Sequence, residues 1–279
     1  KKLSEHLKEK RYEVTFDLTK DVDVIFCFDP RPDNTGLWYQ HFLNHKHQFG
    51  SKIIQRVGDV GTHSKPELTR LVIDSTKHSD HVIFPSYWAK NYINYEKNNF
   101  TVIENAPQEI FYKNRKKAFS DTGKIRIVTH HWSTNEKKGF DFYQFLGNEI
   151  SNKNIQNVDF TFIGRFNEKY QTKGIDVLAP MTAEELATVL PSFDLYLTAS
   201  LAEAGANHVL EAMASGLPVL YRQSGGSIDE YCKEFGKEYK TMQEMLEKIT
   251  SLSISKLRIS SYNRKIEKVI NEYEKIIRS

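Results

Sequence analysis

The chain has 279 residues, 39% of them hydrophobic, 27% charged and 12% aromatic, with a net charge of +3. This is the composition of an ordinary folded protein of one large or two moderate domains, which excludes disordered, collagen-like and fibrous classes. The charge surplus is too small to point to nucleic acid, no apolar run approaches the ~20 residues that span a bilayer, and Cys27 and Cys232 lack the spacing of a disulfide framework or zinc site, as in a reducing compartment.

The opening KKLSEHLKEK reads as a polar helix with Leu3 and Leu7 one turn apart, not as a secretory leader. Strands are expected at Tyr12–Phe16, Val22–Phe28, Ile53–Val57, His81–Pro85 and Thr101–Glu104. Between them, Pro66–Lys77 is a helix with proline in its first turn and Leu68, Leu71 and Val72 on one face. The stretch Asn105–Thr122, with Pro107, the basic cluster Lys113–Lys117 and the polar run Ser120–Gly123, reads as a linker. Strands resume at Ile125–Thr129, Val158–Gly164, Leu195–Ala199 and Pro218–Tyr221. Thr182 with Glu185, Ser227 with Glu230 and Thr241 with Glu244 have capping-box spacing. A charged helix, Tyr262–Ile277, with Ile266, Val269, Ile270 and Tyr273 as its apolar stripe, ends the chain. Alternation of strand and helix predicts two doubly wound α/β units, with ligands beyond the carboxyl ends of their strands in a cleft between them.

The most informative run is ASLAEAGANHVLEAMASGLPVLY, residues 199–221. Asn207 reads as the N-cap of a helix over 208–215, Gly216 stops it, and Pro218 opens the next strand. Glu203 and Glu211, in the loop and in the helix, are spaced for two hydroxyl groups of one extended ligand and too widely for a shared metal or a tight acid/base dyad. The amides at Asn207, His208 and Val209 form a helix N-terminus, a natural phosphate seat. His130 and His131, adjacent at a strand end, point oppositely and cannot chelate one metal; His131 is the candidate for the ligand side. Gly225, Gly226 and Ser227 make a backbone-rich loop suited to a phosphate or sugar. In the first half, RVGDVGTHSKPE (56–67) runs from a strand into a helix with His63 at the loop tip and Asp59 nearby; its glycines do not make a dinucleotide-binding fingerprint.

Glu203-x7-Glu211 followed by AMASGLPV resembles the signature of retaining glycosyltransferases of family 4. VIENAP (102–107), HHWSTNEKKGFDFY (130–143), FIGRF (162–166), DLYLTAS (194–200) and SGGSIDEY (224–231) occur in the order that family shows. The resemblance implies a GT-B fold of two Rossmann-like domains facing across a cleft. It implies an N-terminal, acceptor-side domain over 1–118, a nucleotide-sugar domain over 119–258, and a helix over 259–279 packing back towards the N-terminal domain. The strand and glycine loop with which such chains usually begin are not found, so the N-terminal domain is expected to lack its first strand. By matched position, Glu211 would hold ribose hydroxyls, Glu203 the donor sugar, and Lys138 the diphosphate. Arg165 would replace an arginine that HHWSTNE lacks, and His63 would face the reacting sugar. The implied reaction is metal-independent transfer, without a cofactor, from a nucleotide-diphosphate sugar to a glycan, lipid-linked or small-molecule acceptor. The cytoplasm is the implied location, with Lys113–Lys117 and Tyr87, Trp88, Tyr92 and Tyr95 as a candidate membrane-contacting surface. A non-catalytic binding or scaffold subunit of the same fold, or another nucleotide-sugar enzyme such as an epimerase, is the alternative.

Overall fold

A computed structural model describes residues 1–18, 21–120 and 123–279. The chain divides into two compact units, 1–105 with 266–279, and 106–265.

The first unit contains, in order, α1 (Lys2–Glu9), β1 (Val24–Cys27), α2 (Tyr39–Phe49), β2 (Lys52–Arg56), α3 (Pro66–His78), β3 (His81–Phe84), α4 (Tyr87–Tyr92) and β4 (Phe100–Val102). Its sheet is parallel throughout with order β1-β2-β3-β4. Ile53, Ile54, Val82, Ile83 and Phe84 are fully buried, as expected of parallel strands covered on both faces. Buried polar side chains in this core find partners inside it. Gln55 donates to Ser75 Oγ (2.8 Å) and accepts from Ser79 Oγ (2.9 Å), so its amide is satisfied on both sides. The strand expected at Tyr12–Phe16 does not form: no strand pairs with these residues, and Phe16 stands exposed.

The second unit contains α5 (Glu109–Lys113), β5 (Ile125–His131), α6 (Phe140–Ser151), β6 (Val158–Gly164), β7 (Asp176–Leu178), α7 (Ala183–Val189), β8 (Leu195–Thr198), α8 (Asn207–Ala214), β9 (Val219–Arg222), α9 (Ser227–Cys232), β10 (Gly236–Tyr239) and α10 (Met242–Thr250). Its parallel sheet has the order β10-β9-β8-β5-β6-β7. The order reverses between β5 and β8, the topological switch point at which open α/β sheets bind ligands beyond their carboxyl ends. Side chains alternate along β5. Val128 joins the core under α5, α7, α8 and α9, while Ile127 joins the opposite core under α6 and α10.

The division between units falls at Asn105/Ala106 rather than at 118/119, because Phe111 of α5 is fully buried in the second unit's core with Ala187 and Leu210. The stretch expected to be a linker is thus structured in part; residues 121 and 122 of its polar run lie outside the described residues. Two members of the basic cluster are spent inward, while Lys113 and Lys117 are exposed. Arg115 donates to the Tyr262 carbonyl (3.1 Å), and Lys116 to Asp194 and the carbonyls of Pro191 and Phe193. In the first unit Tyr87 and Tyr92 are exposed, whereas Tyr95 is buried. The last helix, α11 (Ile266–Arg278), belongs to the first unit. It starts later than expected and buries Val269, Ile270, Tyr273 and Ile276, with Tyr273 5.6 Å from Phe26 of β1. His6 of α1 bonds Glu274 of α11 at 2.6 Å. Among the described residues no helix is long and apolar enough to cross a membrane.

Of the three capping boxes, that at Thr182/Glu185 is reciprocal. Thr241 accepts from the Glu244 amide, but the Glu244 carboxylate takes the Lys240 amide instead. Ser227 is not a cap: Gly226 holds that position, and the Ser227 hydroxyl accepts from the Ala206 amide at 2.9 Å.

Candidate functional site

The residues at the carboxyl ends of β5 and β8 form one connected cluster in the second unit. After β5, Asn135 caps a single 3-10 turn, Glu136–Lys138, by accepting from the Lys137 amide. Gly139 follows at φ +81, and a Cβ there would lie 2.4 Å from Ala199 Cβ, so the loop after β5 packs backbone to backbone on the end of β8. The Leu201 amide donates to the Lys137 carbonyl (2.8 Å), which joins the two loops further. Lys138 is thereby buried beside β8, and its ammonium is hydrogen-bonded to Glu203.

Glu203 is fixed through its backbone as well. Its amide donates to the Gly225 carbonyl (2.9 Å), and its own carbonyl accepts from Ser227 (2.8 Å). The 224–227 loop is therefore a floor for Glu203. Its own amides are occupied as well, Ser227 in that bond and Gly225 by Asp229 Oδ1 (3.3 Å). Burial raises the Asp229 carboxyl above its ordinary range, against the lowering by the Gly225 and Ser224 amides.

The helix carrying Glu211 begins one residue earlier than expected. Ala206 is its N-cap and Asn207 its first, exposed residue, because the Ala206 amide is held by Ser227. His208 shares a hydrogen bond with Thr198 Oγ1 (3.2 Å), and the Val209 side chain is fully buried in the core, leaving only its amide for a ligand.

The two adjacent histidines take opposite faces of β5, and the one that meets a signature glutamate is His130. Its Nε2 lies 2.9 Å from Glu211 Oε2. His131 faces the α6 side, buried, with Nε2 2.7 Å from the hydroxyl of Tyr143. That hydroxyl also accepts from the Ala199 amide (3.0 Å), and burial pushes its pKa up to about 12. His131 thus braces the strand ends instead of facing outward. Residue alternation reveals that the pair splits; which member faces α8 depends on where that helix lies, which local spacing does not contain. At the rim, Arg165 stacks on the exposed Trp132 with its guanidinium 4.6 Å from the ring centroid.

His63 lies in the other unit, on the loop between β2 and α3. There Asp59 accepts from the Gly61 amide (2.9 Å) and from Lys65 Nζ (3.0 Å). Burial alone would raise the Asp59 carboxyl, but these bonds and the charges of Lys65 and His63 hold it below its usual range. Among the described residues, no three His, Cys, Asp or Glu side chains are grouped to hold a metal ion.

This arrangement brings a lysine, two glutamates and a glycine-rich loop to the carboxyl ends of two adjacent strands. It can present a positive charge and two carboxylates to a polar, anionic ligand. No curated protein matches the chain in sequence. Solved structures do match it in fold. TarM of S. aureus is 17% identical with a TM-score of 0.70, over 93% of this chain and 56% of its own. The sucrose-phosphate synthase of Thermosynechococcus elongatus is 13% identical with a TM-score of 0.70, over 92% and 73%. HepE of Anabaena is 14% identical with a TM-score of 0.70, over 92% and 78%. The chain spans just over half the length of TarM. Its α/β architecture of two parallel sheets is that of GT-B glycosyltransferase structures, and residues 125–253, which carry the whole candidate cluster of the second unit, match the family described as Glycosyl transferases group 1.

Proposed function

We propose that the chain transfers a sugar from a nucleotide-diphosphate sugar to an acceptor hydroxyl, with retention of configuration and without a metal ion. The observation that carries this reading is the Lys138–Glu203 pair, anchored on the 224–227 loop at the sheet's switch point beside Glu211. In the reaction the bond from the sugar's anomeric carbon to the diphosphate breaks and a bond to the acceptor oxygen forms. The acceptor's proton passes to an oxygen of the departing phosphate. Lys138 takes up the charge growing on the diphosphate, helped by the first amides of α8. Glu203 holds donor-sugar hydroxyls and Glu211 the ribose diol, which is positioning and not proton transfer. Arg165 and Trp132 flank this site, and His63 is the residue that the family resemblance assigns to the reacting sugar. HepE has been crystallised with UDP and glucose, and TarM with UDP, which favours UDP as the first donor to try. Glycans, lipid-linked and small-molecule hydroxyls are the acceptor classes.

The test is thermal unfolding with UDP, GDP, ADP, TDP and CMP, followed by titration of the nucleotide that stabilises. A ligand at 100 times its Kd adds about 2.7 kcal/mol. Glu211→Ala is expected to weaken that nucleotide at least about tenfold, the loss of one or two hydrogen bonds to a charged acceptor. Unchanged affinity removes its ribose role. Slow hydrolysis of the matching nucleotide sugar separates a transferase from a subunit that only binds. Metal independence is read from the family resemblance and the positioning chemistry of Lys138, although Asp21-Val22-Asp23 has the Asp-x-Asp spacing of metal-dependent transferases. EDTA should leave turnover intact; turnover lost to EDTA and restored by manganese overturns this part of the reading.

A further inference from the structure

His130 has one partnered and one orphaned ring nitrogen. Nε2 lies 2.9 Å from Glu211 Oε2, whereas Nδ1 is buried with no hydrogen-bond partner among the described residues. A carboxylate only accepts, so the Nε2 nitrogen carries the hydrogen. The ring is held edge-on to Tyr196, with centroids 5.4 Å apart, and the His130 amide donates to the Tyr196 hydroxyl at 3.2 Å. His130 therefore offers a single N–H, in a fixed direction, to one of the two oxygens of Glu211.

We propose that His130 is a positioning residue for nucleotide binding: it fixes Glu211 so that the second carboxylate oxygen is oriented for ribose hydroxyls, without itself touching the ligand. The inference rests on the reading that Glu211 takes the ribose. A free glutamate side chain must be immobilised when a ligand binds, and holding it beforehand removes that cost from the binding step. Losing the hold should weaken binding about three- to tenfold.

Three substitutions separate this role from packing. In His130→Gln the amide nitrogen reaches the place of Nε2 and keeps the donor. In His130→Asn it reaches only the place of Nδ1. His130→Phe keeps a planar ring with no donor. The probes are the nucleoside diphosphate that stabilises the wild type and its 2′-deoxy form, titrated calorimetrically. The expected result is that Phe and Asn weaken the ribonucleotide about three- to tenfold and narrow its preference over the deoxy form, while Gln stays within about twofold of wild type. Combined with Glu211→Ala, His130→Phe should cause no further loss. The proposal is overturned if Phe binds like wild type, if ribo and deoxy forms lose equally, or if the losses multiply in the double variant. If the Phe variant does not fold, the Gln and Asn pair decides alone. Should Glu211→Ala itself leave affinity unchanged, the ribose reading fails first; if it weakens binding while His130→Phe does not, only the present inference fails.

Discussion

Replacing Asp194 by alanine is expected to lower the thermal midpoint by roughly 6–20 °C while leaving nucleotide affinity unchanged below the transition. Asp194 sits just before β8, wholly buried, and holds two cations. Arg126 forms two side-chain bonds to it at 3.0 Å and a third through its backbone amide, and Lys116, 5% exposed, approaches at 3.3 Å. Removing the anion leaves Lys116 buried and unpaired, which costs about 3–5 kcal/mol. Burial by itself would raise the Asp194 carboxyl. The hydrogen bonds from Arg126, with the charges of Arg126 and Lys116, outweigh it and lower the pKa. For Lys116 the balance differs: burial lowers its pKa more than Asp194 restores it. The lysine is thus the costly member, and Lys116→Met should lose less than about 2 kcal/mol because Asp194 keeps its Arg126 bonds. Since the carboxyl pKa is lowered by folding, its contribution is present above about pH 3.9 and fades as pH falls towards the folded value. Asp194→Asn should therefore flatten the acid limb of the stability curve. Asp194 binds the amino ends of β5 and β8, the end opposite the candidate site, which is why affinity should survive.

The second large effect is expected at Gly139, where alanine should both destabilise the protein by about 2–4 kcal/mol and weaken nucleotide binding at least about tenfold. The left-handed backbone at φ +81 costs any other residue about 1–2 kcal/mol. The added Cβ would also stand 2.4–2.5 Å from Ala199 Cβ and the Ala199 carbonyl oxygen, so the loop carrying Lys138 must move off β8. Gly50 supplies the control. It has the same φ of +81 but nothing within 4 Å of an added Cβ, so Gly50→Ala should show the backbone cost alone and leave binding intact. Equal effects of the two substitutions on nucleotide affinity would show that the contact between the loops after β5 and β8 does not matter to the site.

Much of the second unit is legible in the sequence because its strands are buried on both faces. The runs at 125–129, 158–164 and 195–199 are apolar enough to be read without knowing their neighbours. What local spacing misses is decided by residues far away in the chain. Ser227 does not cap its own helix because its hydroxyl serves Ala206, and the same bond moves the start of α8 from 208 to Asn207. Lys116 reads as part of a basic linker cluster until Asp194 is placed beside it. Tyr12–Phe16 has the composition of a strand but no strand to pair with. At the candidate site, Glu203 and Glu211 stand out by residue type and spacing, and Lys138 through the family resemblance. The partner of Glu211 does not, since choosing His130 over His131 requires the side of the sheet on which α8 lies.

The return of α11 to the first unit has a consequence for synthesis. The stretch 106–265 is translated before residues 266–278, so every residue of the second unit precedes the helix that completes the first. At about 5–20 residues per second, the first unit waits roughly 8–32 s for its last helix. During that interval Phe26 and the rest of the β1 face lack Tyr273 and its apolar neighbours and are open to chaperones. A chain cut short after 265 would keep every residue of the lysine–glutamate cluster in the second unit but leave the first unit without α11.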